Sequence, residues 1–117
     1  MLSYKVLALA LLSYSAQAVA AAKPPATLYT EEPCQGETFE VAADNKCVLL
    51  PENLQKHING VKVPEDVVCD FYSDEKCDEP LLIGVEDPGI CKFSEWEIEN
   101  KTVSVHCYDA DAIYDDK

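Results

Sequence analysis

"LYTEEPCQG" at residues 28–36 returns in altered form as "FYSDEKCDE" at residues 71–79, with Tyr and Cys in register and acidic residues between them. An offset of about 43 residues aligns more of the chain: Tyr29 meets Tyr72, Cys34 meets Cys77, and Cys47 meets Cys91 after one inserted residue. Val61 and Val63 then meet Val103 and Val105. Two copies are too few for a solenoid, whose units need at least three repeats to bury a core. The repeat therefore predicts a pseudo-two-fold pair inside one domain.

Each copy reads as strands. "GVKV" at 60–63 and "TVSVHC" at 102–107 alternate side chains with period two, and "VVCDFY" at 67–72 is β-branched and aromatic. "ENLQKHI" at 52–58 and "FSEWEIE" at 93–99 have room for a helical turn or two and no more. Asp44-Asn45, Pro64-Glu65 and Asp87-Pro88-Gly89 punctuate the strands as turns. The pattern predicts an all-β domain of about eight short strands, a number that suits a two-sheet sandwich.

The first residues carry one Lys, an apolar run from Val6 to Leu12, and the small-residue patterns Ala16-Gln17-Ala18 and Ala18-Val19-Ala20. That is the charge, length and cleavage chemistry of a secretory signal peptide at 1–22, cut after Ala18, Ala20 or Ala22. Its apolar run is too short to anchor in a membrane, and no later run approaches the roughly 18 residues of a span. The expected layout is a short linker at 23–27, a domain at 28–107 and an acidic tail at 108–117. A domain of this length has a marginal core without covalent help. Cys34, Cys47, Cys69, Cys77, Cys91 and Cys107 all lie in the mature part. In a secreted chain they read as three disulfides, each worth roughly 2–4 kcal/mol, with fifteen connectivities open.

The formal charge is −13 and Arg is absent. Such a surface repels nucleic acid and anionic lipid and favours basic partners or cations. Net charge of this size also serves solubility alone.

"YTEEPCQG" at 29–36 resembles the phrase Tyr, four residues, aromatic, one residue, Gly that marks each Greek-key motif of the βγ-crystallin superfamily, with Cys34 in the second aromatic slot. On that resemblance Tyr29 covers a folded-over hairpin, and Gly36 supplies a backbone conformation that a Cβ would oppose. Thr102-Val103-Ser104-Val105 is similar to the family's opening of the fourth strand, Gly60-Val61-Lys62-Val63 less so, and Trp96 just ahead of that strand also fits. The second copy departs from the pattern: Glu79 stands where Gly is expected and Pro80 follows, so its hairpin is expected to fold differently. Gly60 lacks the hydroxyl that ties the family's hairpin down. The stretch "C-x-FYSD-x-x-C … PG-x-C … SV-x-C" is similar to small cysteine-rich secreted proteins of filamentous fungi, some of them plant-pathogen effectors. The resemblance implies a disulfide-stabilised βγ-crystallin-like sandwich of two Greek-key motifs. If the copies fold alike, the repeat makes Cys34–Cys47 and Cys77–Cys91 equivalent local bridges and leaves Cys69 to Cys107.

Calcium is the first chemistry the resemblance raises, through loops written (Asn/Asp)-(Asn/Asp)-x-x-(Ser/Thr)-Ser. The corresponding "QKHING" at 55–60 and "EIENKT" at 97–102 lack the paired acids or amides and the hydroxyl needed to present six to eight oxygens. Zinc from Cys77 or Cys91 with His57 or His106 lacks a repeated C-x-x-C spacing, and the compartment favours disulfides. Ser104, His106 and Asp109 spell a hydrolytic triad on paper. On a strand, however, Ser104 and His106 stand about 7 Å apart, beyond hydrogen-bond reach. Carboxylates are too numerous for any pair to signify a glycosidase. The expectation is no enzyme, no cofactor and no metal.

Tyr72 and Trp96 read as core anchors rather than a ligand surface. Asn100-Lys101-Thr102 is an N-glycosylation acceptor in a secreted chain. "YDADAIYDDK" at 108–117 reads as a solvated end or a docking strip for a basic partner. The functional expectation is a secreted effector or virulence protein that binds an extracellular host or competitor protein. Alternatives are a proteinase inhibitor using "PEDVV" at 64–68 or "VEDPGI" at 85–90, a killer-toxin-like antimicrobial protein, and a calcium-binding crystallin-like protein.

Overall fold

β-branched and aromatic residues at alternate positions extend the chain wherever the turn residues release it, and eight strands result among the described residues. They are β1 (Ala26–Glu31), β2 (Gln35–Val41), β3 (Lys46–Leu49), β4 (Gly60–Lys62), β5 (Val67–Tyr72), β6 (Pro80–Val85), β7 (Gly89–Ile90) and β8 (Ser104–Asp109). Short 3-10 turns cover Phe93–Trp96 and Ala110–Ile113. The computed structural model describes residues 23–113, so the stretch read as a signal peptide at 1–22 and residues 114–117 of the expected tail lie outside the described residues. β1 opens within the stretch read as a linker, with Ala26 fully buried, and β8 carries the fold past 107 to Asp109.

One antiparallel sheet runs β2-β1-β4-β7 and the other β3-β8-β5-β6. Each copy therefore gives its first, second and fourth strands to one sheet and its third strand to the other. β7 pairs with β4 through Val61–Ile90 and Lys62–Gly89, and β3 pairs with β8 through Lys46–Cys107 to Leu49–Ser104.

This exchange corrects the expected local disulfides. The bridges are Cys34–Cys91, Cys47–Cys77 and Cys69–Cys107. Cys47 and Cys91 lie on or beside the exchanged third strands, so each meets the first hairpin of the opposite copy. The two crossing bridges are equivalents of one another, because Cys34 matches Cys77 and Cys91 matches Cys47. Cys69–Cys107 joins directly opposed residues of β5 and β8, as the repeat implied. The matching places in the first copy hold buried Ala26 and Val63.

The alignment of the fourth strands also changes. β1 pairs Tyr29 with Gly60 and Leu28 with Val61, whereas β5 pairs Tyr72 with Ser104 and Phe71 with Val105. Gly60-Val61 thus corresponds to Ser104-Val105, two residues beyond the sequence alignment. A slip of two leaves every side chain on its own face, so alternation alone does not distinguish the registers.

Leu28, Val41 and Val61 of the first sheet face Val67, Phe71 and Val105 of the second in one core. Leu50 and Phe93 close it at equivalent points: Leu50 N donates to Val103 O and Phe93 N to Asn59 O. Phe71 and Phe93 meet edge to face with centroids 5.3 Å apart, a favoured aromatic geometry.

The two first hairpins differ, in keeping with Glu79 standing where the first copy has Gly36. In the first copy Gly36 has φ +86°, and a Cβ there would come within 2.5 Å of Thr30 Oγ1. In the second, Asp74 accepts from the backbone N–H groups of Lys76, Asp78 and Glu79 at 3.0, 2.9 and 2.8 Å. A carboxylate replaces the glycine as the organiser of the turn.

The exchanged strands demand close approach at Gly89, where φ is +108° and an added Cβ would run into the Val61 carbonyl. Gly84 is also left-handed, at +82°, yet a Cβ there meets nothing within 4 Å. Gly84→Ala is expected to cost about 1 kcal/mol from backbone conformation alone. Gly89→Ala is expected to cost a further ~1–3 kcal/mol from overpacking. Urea denaturation of both variants measures the difference.

Candidate functional site

The outward face of the second sheet gathers a polar cluster around Asp70, which is only 6% exposed. Asp70 and His106 are opposed across β5 and β8. His106 Nδ1 stands 3.5 Å from Asp70 Oδ2, and its Nε2 lies 2.6 Å from Asn45 Oδ1. Asp70 Oδ1 accepts the Gly84 N–H at 2.7 Å. The chain Asn45, His106, Asp70, Gly84 therefore reaches across the sheet and pins the bulged end of β6. Tyr72, expected as a core anchor, instead lies partly buried on this outward face two residues from Asp70, and with Tyr108 it flanks the cluster. Burial first, and then the Asp70 carboxylate beside each ring, push both phenols above their ordinary pKa.

Among the described residues β6 is an edge of this sheet. Its sequence, Pro80-Leu81-Leu82-Ile83-Gly84-Val85, has no charge, with Asp78-Glu79 before it and Glu86-Asp87 after it. Ile83 is 54% exposed. Proline at the first position of an edge strand leaves its missing donor harmless. An apolar edge otherwise presents unpaired backbone groups to an incoming strand.

The end of β6 runs into a cleft of about 490 Å3 lined by Glu65, Asp66, Glu86, Asp87 and Asp111 with Val67 and Val68 behind them. Lys23 already lays its ammonium at the border, 3.3 Å from Asp109 and 3.9 Å from Asp66 and Asp111. The Asp111 backbone N–H first, and then Lys23, hold the Asp109 carboxyl below its ordinary pKa. The two stretches read as inhibitor loops, 64–68 and 85–90, meet here as walls of this cleft, and Val67 and Val68 are buried.

The paper triad is not assembled: Ser104 Oγ donates to Asp74 O at 2.7 Å, and Asp109 faces Lys23 rather than His106. Cys77 and Cys91 are in disulfides and offer no thiolate. Among the described residues no group of three or more His, Cys, Asp or Glu is placed to hold a metal. The strand register moves the second crystallin-type loop from 97–102 to "ENKTVS" at 99–104, where Val103 fills the penultimate hydroxyl place.

Trp96 departs from its expected core role and is 55% exposed. It ends a 3-10 turn whose first residue, Phe93, takes the buried place instead. Tyr29 is partly buried, with the Lys62 ammonium 5.6 Å from its ring centroid. The hydroxyl role expected of Thr102 falls to Ser104, whose oxygen ties the second hairpin down. At the matching Gly60 a Cβ would lie 3.3 Å from Cys34 Sγ, so a disulfide fills the space of the absent hydroxyl. Asn100 is exposed and Thr102 is fully buried.

No family model matches the chain and no curated protein matches it. Among solved structures, one described as evolution of the eye lens βγ-crystallin domain fold superposes with TM-score 0.65 at 17% identity, over 76% of this chain and 89% of that one. The N-terminal domain of protein S gives 0.59 at 18%, over 73% and 96%. A βγ-crystallin domain from Clostridium beijerinckii gives 0.55 at 16%, over 72% and 97%. At these identities the likeness is one of fold, and the chain has the βγ-crystallin fold.

Asp74 gives this region a testable acid dependence. Its hydrogen bonds, that from Glu79 foremost, hold its carboxyl below the ordinary aspartate pKa. Its contribution to stability is whole above that ordinary value and is lost as pH falls through the lower folded-state value. Asp74→Asn is expected to lower stability near neutrality and to flatten the acid decline, in urea midpoints taken between roughly pH 6 and pH 2.

Proposed function

We propose that the protein is a secreted, effector-like binding protein that engages an extracellular host or competitor protein by strand addition at β6. The observation that carries this reading is an uncharged apolar edge strand that ends on an acidic cleft. Backbone groups of the edge supply affinity for an extended segment, and alternate side chains supply selectivity. The acidic pairs at 78–79 and 86–87 set the partner's chemistry as an apolar strand with Lys or Arg at both ends. They also disfavour a second copy, since antiparallel self-pairing would set acids against acids. Lys23 supports a preference of the cleft for cations, because this lysine of the chain itself settles beside Asp66 and Asp111 on the cleft wall. Three disulfides are consistent with work outside the cell. The effector role rests on this surface together with the fungal resemblance, and the binding role rests on the surface alone.

The test is titration of isotope-labelled oxidised protein with a synthetic peptide of alternating Val and Thr flanked by two Lys at each end, and with its Glu-flanked counterpart. Amide shifts along 80–85 with the Lys peptide only, lost in Ile83→Lys and kept in Leu49→Lys on the opposite edge, are expected. Binding should weaken as salt rises. Absence of shifts, equal response to both peptides, or shifts confined to 64–66 and 86–88 would overturn the β6 assignment.

A further inference from the structure

Thr102 is fully buried, and among the described residues its Oγ1 has no hydrogen-bond partner. By strand register its counterpart in the first copy is Ile58, itself 1% exposed, so the fold asks for an apolar side chain here and receives a hydroxyl. A buried hydroxyl without a partner destabilises the folded state, whereas an isosteric methyl would not. The folded protein thus gives this oxygen no task. Two residues earlier, Asn100 is exposed, and the pair belongs to the acceptor pattern Asn100-Lys101-Thr102.

The surroundings of Asn100 suit a substituent. Its Oδ1 accepts from Asn59 Nδ2 at 2.9 Å, and its backbone N–H donates to Asn59 Oδ1 at 2.9 Å. Among the described residues its own Nδ2 has no partner, so the nitrogen that would carry a sugar is the free end of an otherwise fixed side chain. A groove of about 390 Å3 lined by Thr30, Glu31, Glu37, Asn53 and His57 opens beside it, with polar groups for the first sugar to meet.

We infer that Asn100 is N-glycosylated, and that the modification takes place before β8 docks. The donor is an oligosaccharide on a lipid pyrophosphate. Asn100 Nδ2 forms the bond to the anomeric carbon, the bond from that carbon to the pyrophosphate oxygen breaks, and the amide proton leaves to a base of the transferase. The acceptor reaction needs the Thr102 hydroxyl, which folding then buries completely. Modification and folding are therefore ordered: a chain that has closed its second sheet is no longer a substrate. This site is independent of the β6 surface.

The full chain secreted from a eukaryotic host is expected to carry glycan mass that a glycoamidase removes, converting Asn100 to aspartate in the peptide map. Asn100→Gln and Thr102→Val should lack that mass and Thr102→Ser should keep it. Thr102→Val should still form three disulfides and melt no lower than the deglycosylated wild type. With transferase-containing microsomes, reduced unfolded chain should be modified and oxidised folded chain should not. Secreted wild type at bare polypeptide mass would overturn the site. A lowered melting point for Thr102→Val would show that the hydroxyl serves the fold, and modification of the folded chain would overturn the order.

Discussion

The exchange of third strands governs the rest of this structure. β3 hydrogen-bonds to β8 and β7 to β4, so neither sheet is complete within one copy. Each first hairpin then folds over a strand end delivered from the other copy, and the disulfides Cys34–Cys91 and Cys47–Cys77 lock these two meetings. The first is tightened further, since Cys34 N donates to Cys91 O at 3.2 Å and Glu32 accepts from Ser94 N and Oγ, both at 2.9 Å. A core of this size gains from bridges that close long loops, because they remove the most freedom from the unfolded chain. Sequence separations of 57 and 30 make the crossing bridges long closures, which local pairings would not have been.

Much of the fold was legible because symmetry was written in rigid residues. Tyr29 and Tyr72, Cys34 and Cys77 mark equivalent hairpins, and period-two alternation marks the strands. Two features escaped for definite reasons. Pairing by proximity in sequence assumes that a copy closes on itself, and strand exchange breaks that assumption while keeping the symmetry. Aligning Val61 with Val103 instead of Val105 costs nothing in alternation, so the register became visible only through the partners of Tyr29 and Tyr72. The corrected register also exposed the mismatch of Ile58 and Thr102.

The candidate site was less legible than the fold. Edge status is a property of strand order, and nothing in Pro80–Val85 announces that among the described strands β6 has a neighbour on one side only. The signal available was the uncharged run between two acidic pairs, within a chain where acids are common enough to hide it. The Asp70 and His106 pairing was equally hidden, since His106 invites a nearer partner such as Ser104 or Asp109. Trp96 shows the converse: an aromatic expected in the core stays half exposed because Phe93 reaches the interior first.

Strand exchange is tested most directly by the disulfide map of the oxidised protein. Cleavage at Lys and Glu without reduction separates all six cysteines, and mass spectrometry then identifies each linked pair. Exchange predicts Cys34 with Cys91, Cys47 with Cys77, and Cys69 with Cys107. Recovery of Cys34 with Cys47 and Cys77 with Cys91 would mean that each copy closes on itself, and would contradict the account.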